Sequence, residues 1–139
     1  MAPSVEARCA WLTRAAQQLV PLIEQAGLQV PPVKLELDRI LTRRRGACYM
    51  AMDGVNRIVI SPCYVDCLDV LDTLAHELLH AVDNNASGHR EAFQRNATKI
   101  GFIPRGAGSL QRGPTLEGTL KEIHAGLGPY PQFAAKFVV

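Results

Sequence analysis

The sequence predicts an α+β fold, and three observations carry the prediction. Apolar residues recur at helical spacing in four separate stretches. Three short segments between the first and second stretch read as strands, "VKLELDRI" by strict alternation and "RIVIS" by its β-branched residues, with "ACYMAM" as the third candidate. Glycine and proline clusters punctuate the intervals. The expected order is an N-terminal helix, a small antiparallel sheet of about three strands, a helix bearing H-E-x-x-H, a second helix after it, and a C-terminal helix. A length of 139 residues, with 47% hydrophobic and 20% charged, suits one domain over 1–139 with one core.

The first helix covers 4–26, with Ser4 able to cap it and Val5, Cys9, Leu12, Ala16, Leu19 and Ile23 as its apolar stripe. Pro21 is expected to kink it or to start a second short helix. "VKLELDRI" alternates strictly, with Val33, Leu35 and Leu37 on one face. "ACYMAM" and "RIVIS" supply two more strands, joined by a turn at Asp53-Gly54. A helix starts at Asp66 or Asp69 and runs to about Asn84, burying Leu71, Ala75, Leu78 and Val82. The next helix runs from Ser87 or Gly88 to Ile100 and stops at Gly101 and Pro104. "PRGAGSLQRGP" reads as flexible connection, since it lacks the Lys-Ser/Thr ending of a phosphate loop. The last helix, about Thr115 to Gly126, carries Leu116, Leu120, Ile123 and Leu127 on one side.

Composition narrows the function classes. No apolar run reaches the length of a membrane span, and the N-terminus lacks the pattern of a signal peptide. The expected location is therefore the cytosol. Cys9, Cys48, Cys63 and Cys67 are expected as free thiols, because their spacing makes no C-x-x-C knuckle pair. A net charge of +2 is too small to argue nucleic-acid binding alone. Arg43, Arg44 and Arg45, close after Arg39, are the candidate phosphate contacts, set against a plain solvated loop.

Chemistry concentrates in "LAHELLHAVDNNASGHREAF", residues 74–93, which holds three of the four histidines. On a helix, His76 and His80 lie about 40° apart and one turn apart, so both rings can face one ion. Glu77 stands about 100° around from His76, where its carboxylate reaches a water beside the metal without taking a coordination site. That pattern is a zinc site with its own general base. A zinc that keeps one open position needs a third protein ligand. His89 is favoured over Glu91 and Asp83, because Gly88 lets the chain turn sharply just before it. Asp83 falls on the same face as the two histidines and suits acceptance of a hydrogen bond from a ligand ring. His124 is read as a non-ligand. Tyr49, Tyr64, Arg112 and Tyr130 are candidates for a second oxyanion donor, with no basis in the sequence for choosing among them.

The segment resembles the SprT-like zinc metallopeptidases, which include the Spartan proteases that degrade DNA-bound proteins. The matching residues are His76, Glu77, His80, Gly88-His89 and Phe93, preceded by "RIVISP" and followed much later by "GPYP". The likeness is closest to short phage and actinobacterial members. It implies a zincin-like minidomain, Zn²⁺ on His76, His80 and His89, and an endopeptidase using Glu77 as base on a protein or peptide substrate, with DNA-associated proteins as candidate substrates. Many members continue into a cysteine-rich zinc ribbon; none follows here before Val139. Two rival readings stand beside it: a processing peptidase for one regulatory protein, and a nucleic-acid-associated module whose zinc is structural.

Overall fold

The computed structural model describes residues 5–37, 44–63, 65–84, 86, 88, 90–106 and 109–132. Four helices and two small sheets follow in the order α1 (Val5–Gln25), β1 (Val33–Leu37), β2 (Gly46–Met50), β3 (Asn56–Ile60), α2 (Cys67–Val82), α3 (Glu91–Ile100), β4 (Phe102–Pro104), β5 (Leu110–Arg112) and α4 (Pro114–Leu127). The α+β class is therefore as the sequence predicts.

The main sheet has the order β1-β3-β2. β2 and β3 form an antiparallel hairpin, but β1 runs parallel to β3, with Val33 opposite Asn56 and Leu37 opposite Ile60. The expected all-antiparallel sheet is thus corrected to a mixed one. Alternation of side chains identifies a strand but carries no information about which neighbour it pairs with. Here β3 lies between the two strands that precede it in sequence.

α2 is the hub. It contacts the sheet through β2 and β3 and is packed by α1, α3 and α4. Its burial on nearly all sides, with Val70, Leu71, Leu74, Ala75, Leu78 and Leu79 all at 1% exposure or less, fits a helix that is apolar around most of its circumference. Asp66 starts it, its side chain accepting from the Asp69 N–H at 3.0 Å. Around α2 the core continues through Trp11, Leu12, Leu19, Ile23, Ile58, Ile60, Phe93, Phe102, Leu116 and Leu120.

Four further expectations are corrected in whole or in part. α1 continues through Pro21 as one helix, so no second helix starts there; Pro21 and Gln17, whose carbonyl the missing N–H releases, both lie on the exposed face. The buried face of α1 holds Leu12, Ala16, Leu19 and Ile23 as predicted but is wider than the stripe, adding Arg8, Trp11 and Ala15, while Val5 is 47% exposed. α3 starts at Glu91, with Arg90 as its N-cap, later than the predicted Ser87 or Gly88. Part of the segment read as flexible connection is a β-hairpin, with Phe102 opposite Arg112 and Pro104 opposite Leu110. Strands of three residues are too short for alternation to register, and a buried Phe102 anchors this one.

The C-terminal stretch 128–131 is pinned to α1. Arg8 donates from Nε to the Pro131 carbonyl at 2.7 Å and from Nη1 to the Pro62 carbonyl at 2.8 Å. Trp11 Nε1 donates to the Gly128 carbonyl at 3.2 Å. Among the described residues no helix is long and apolar enough to cross a membrane. All four cysteines are free thiols.

Candidate metal centre

The middle of α2 presents His76, Glu77 and His80 to a cleft of about 670 Å³. Its opposite wall is the segment Arg44 to Cys48, which leads into and forms β2. The Nε2 atoms of His76 and His80 stand 3.2 Å apart. Two nitrogens bound to one tetrahedral zinc at 2.0–2.1 Å are separated by about 3.3 Å. The pair therefore already holds the spacing that one tetrahedral ion requires.

The rings are fixed from behind. Phe93 of α3, 1% exposed, stacks on His80 with ring centroids 4.0 Å apart and planes 11° from parallel. The same phenyl ring lies 5.1 Å from His76, and Phe102 sits edge-on to His76 at 6.5 Å. The imidazoles thus rest on an aromatic floor, which restrains ring rotation.

Glu77 is 6% exposed yet lines the cleft. Burial pushes its carboxyl up to about 7, opposed by the positive charge of Arg44. A carboxylate poised there can take and return a proton near neutral pH.

β2 reaches close to this point because residue 46 is glycine. A Cβ there would lie 2.8 Å from Thr73 Cγ2, 3.0 Å from the Val59 carbonyl and 3.4 Å from Glu77 Cγ. β2 is also the edge strand of the described sheet. Ser61 N–H donates to the Arg45 carbonyl and Ala51 N–H to the Val55 carbonyl, at 2.8 and 3.2 Å. By antiparallel alternation, odd-numbered residues of β2 bond to β3, whereas Gly46 and Met50 turn their backbone groups the other way.

The remaining candidates are distributed as follows. His89 and Arg43 lie outside the described residues, as do Arg39 and Tyr64. Among the described residues no third His, Cys, Asp or Glu joins His76 and His80 in a group able to hold a metal. Glu91 points outward, its side chain 87% exposed and 3.3 Å from Arg95. Asp83 caps α2 at its C-terminus with Oδ1 shielded from solvent. Arg44 and Arg45 line the cleft, Arg45 with its Nη1 3.6 Å from Asp69 Oδ1. His124 sits on α4 and does not line the cleft.

Three oxyanion candidates are placed elsewhere. Arg112 is held by Asp69 at 3.2 Å and Asp72 at 3.0 Å. Tyr130 packs edge-on to Trp11 at 4.9 Å, under the Arg8 guanidinium. Tyr49 alternates onto the face of β2 opposite Gly46 and is 47% exposed. Sequence reasoning missed Gly46 and Thr73, whose role is a close approach between elements distant in the chain. No local pattern marks such a contact.

No family model, curated protein or solved structure matches this chain.

Proposed function

We propose that the chain is a zinc-dependent endopeptidase with a zincin-like minidomain of the SprT-like type. The observation that carries this reading is the 3.2 Å convergence of the His76 and His80 Nε2 atoms beside a buried Glu77 in one open cleft. A surface helix with two unrelated histidines has no reason to place a desolvated carboxylate between them.

His76 and His80 are two ligands, and His89 is proposed as the third. Zinc, when bound, supplies Lewis acidity toward the scissile carbonyl and toward water. Glu77 accepts a proton on its carboxylate from the attacking water and returns it to the leaving amine. Phe93 keeps the His80 ring from turning away. An extended peptide fits the cleft as an added strand on the edge of β2, bonding to the outward backbone groups of Gly46 and Met50. Arg44 and Arg45 on the cleft wall, with Arg43 preceding them in sequence, support DNA-associated proteins as the substrate class. The four free thiols fit a reducing compartment, the cytosol.

Replacing Glu77 by Gln tests the reading. Zinc content, melting temperature and cleavage of a DNA-binding protein, with and without DNA, are measured on the same preparations. The expected outcome is one zinc per chain, a retained fold and a rate lower by about 10²-fold or more. Equal cleavage by both proteins would end the hydrolase reading. Loss of zinc or fold in the variant would favour a structural metal. Activity on one regulatory protein, indifferent to DNA, would favour a processing peptidase.

A further inference from the structure

β1 lies at the margin of the main sheet away from the cleft, since the order β1-β3-β2 leaves β2 at the cleft side. Its five residues, "VKLEL", alternate in character. Val33, Leu35 and Leu37 pack against the core but are only partly buried, whereas Ile58 and Ile60 of the neighbouring β3 are fully buried. Among the described residues no strand pairs with the far side of β1, so backbone N–H and C=O groups face outward there. Beside this edge, Ala16, Gln17, Val20 and Pro21 of α1 meet Val33 and Leu35 in a groove of about 540 Å³.

The other face of β1 carries Lys34 and Glu36. Lys34 is exposed, and among the described residues no ion pair holds it. In the β1–β3 register it stands opposite Arg57, a second cation. Glu36, its side chain 46% exposed, lies 3.5 Å from Arg57, whose closer partner is Asp53 at 2.7 Å. A lysine on an edge strand ordinarily discourages pairing, because an incoming strand brings nothing to meet it. A second copy of β1 does bring something. Laid antiparallel about a two-fold axis at Leu35, it sets its Glu36 opposite Lys34 and its Lys34 opposite Glu36. Residues directly opposite share a face of the sheet. Val33 therefore meets the second copy's Leu37, and Leu35 meets its own counterpart, on the side covered by α1. Both faces of β1 are thus complementary to themselves, as a closed two-fold contact requires.

We infer that β1 is a self-association edge, through which two copies of this chain join antiparallel into one continuous sheet. Only five residues pair on each side, with the exposed row of α1 beside them, so the dimer is weak and concentration-dependent. It leaves the cleft beside β2 open in both copies and stands independently of any metal.

The test is sedimentation equilibrium of the whole chain from micromolar to millimolar concentration, with circular dichroism to check folding. Wild type should pass reversibly from monomer to dimer. Lys34→Glu and Glu36→Lys each set like charges opposite one another twice per interface. Each should weaken association by about 10-fold or more. Mixing the two variants should restore a dimer, because an acidic β1 then meets a basic one. Wild type that stays monomeric throughout overturns the proposal and leaves the edge to a strand of another protein. Association unchanged by Lys34→Glu places the contact elsewhere and also overturns it. So does a mixture of the two folded variants that associates no better than each alone. If Glu36→Lys fails to fold on losing its contact with Arg57, Lys34→Glu alone decides, since that replacement breaks no ion pair among the described residues.

Discussion

Arg112 joins three elements through charge. Its Nη1 lies 3.2 Å from Asp69 and 3.0 Å from Asp72 on α2, and its Nε lies 3.5 Å from Glu117 on α4. Burial raises the Asp72 carboxyl above its ordinary range, and the Arg112 charge and hydrogen bond pull it back. Replacing Arg112 by Gln leaves the ionised Asp72 without that cation, so its pKa in the folded protein rises further. The loss should be about 1–3 kcal/mol at pH 7, where Asp72 is charged. It should shrink as pH falls through the variant's raised pKa, because a protonated carboxyl needs no cation. Chemical denaturation of both proteins across acidic and neutral pH checks the sign. A difference that grows toward acid would assign the Arg112 contribution to another group. Arg112 also marks a limit of sequence reading. It was a plausible oxyanion donor by residue type, and only the placement of β5 beside α2 shows that its donors point at carboxylates.

At the scale of elements, the fit of β2 against α2 rests on Gly46. An alanine methyl there would be 2.8 Å from Thr73 Cγ2 and 3.0 Å from a backbone carbonyl that cannot rotate away. Gly46→Ala should cost about 1–3 kcal/mol, as overpacking does. Thr73→Ser, which deletes Cγ2, should recover part of the loss in the double variant but not the part owed to the Val59 carbonyl. Melting curves of the two single variants and the double one separate these shares. Full recovery would mean that only Thr73 resists the methyl. Elements were legible where their own residues carry the signal. The helix holding H-E-x-x-H is bounded by Asp66 and Asp83, close to the span read from periodicity. Strand partners were not legible, since a parallel β1–β3 pair depends on contacts over more than twenty residues. On α1 the burial of Leu12, Ala16, Leu19 and Ile23 was legible but that of Arg8 was not, because an arginine is expected outside, and its hydrogen bonds to Pro62 and Pro131 make that burial tolerable.

Across the whole molecule, the candidate site and the anchoring of residues 128–131 occupy different parts of one core. α2 reaches both: His76 and His80 line the cleft, while Cys67 Sγ accepts from the Tyr130 N–H at 3.3 Å. Much of the cleft could be anticipated from "HELLH", because helix geometry alone brings those side chains together. Its second wall could not, since β2 approaches α2 only through tertiary packing. The chain's single tryptophan, Trp11, lies on α1 at 1% exposure, bonded to Gly128 and edge-on to Tyr130. An indole so enclosed emits at short wavelength, and its spectrum moves to the red when water reaches it. Trp11 does not line the cleft of His76, Glu77 and His80. Emission should therefore follow release of the C-terminal segment and global unfolding in one transition, coincident with loss of helical signal. Zinc added to folded protein should leave it nearly unchanged. Red-shifted emission from the native state would contradict the enclosed indole. The fold thus carries a built-in optical reporter that can tell folded, zinc-free protein from melted protein.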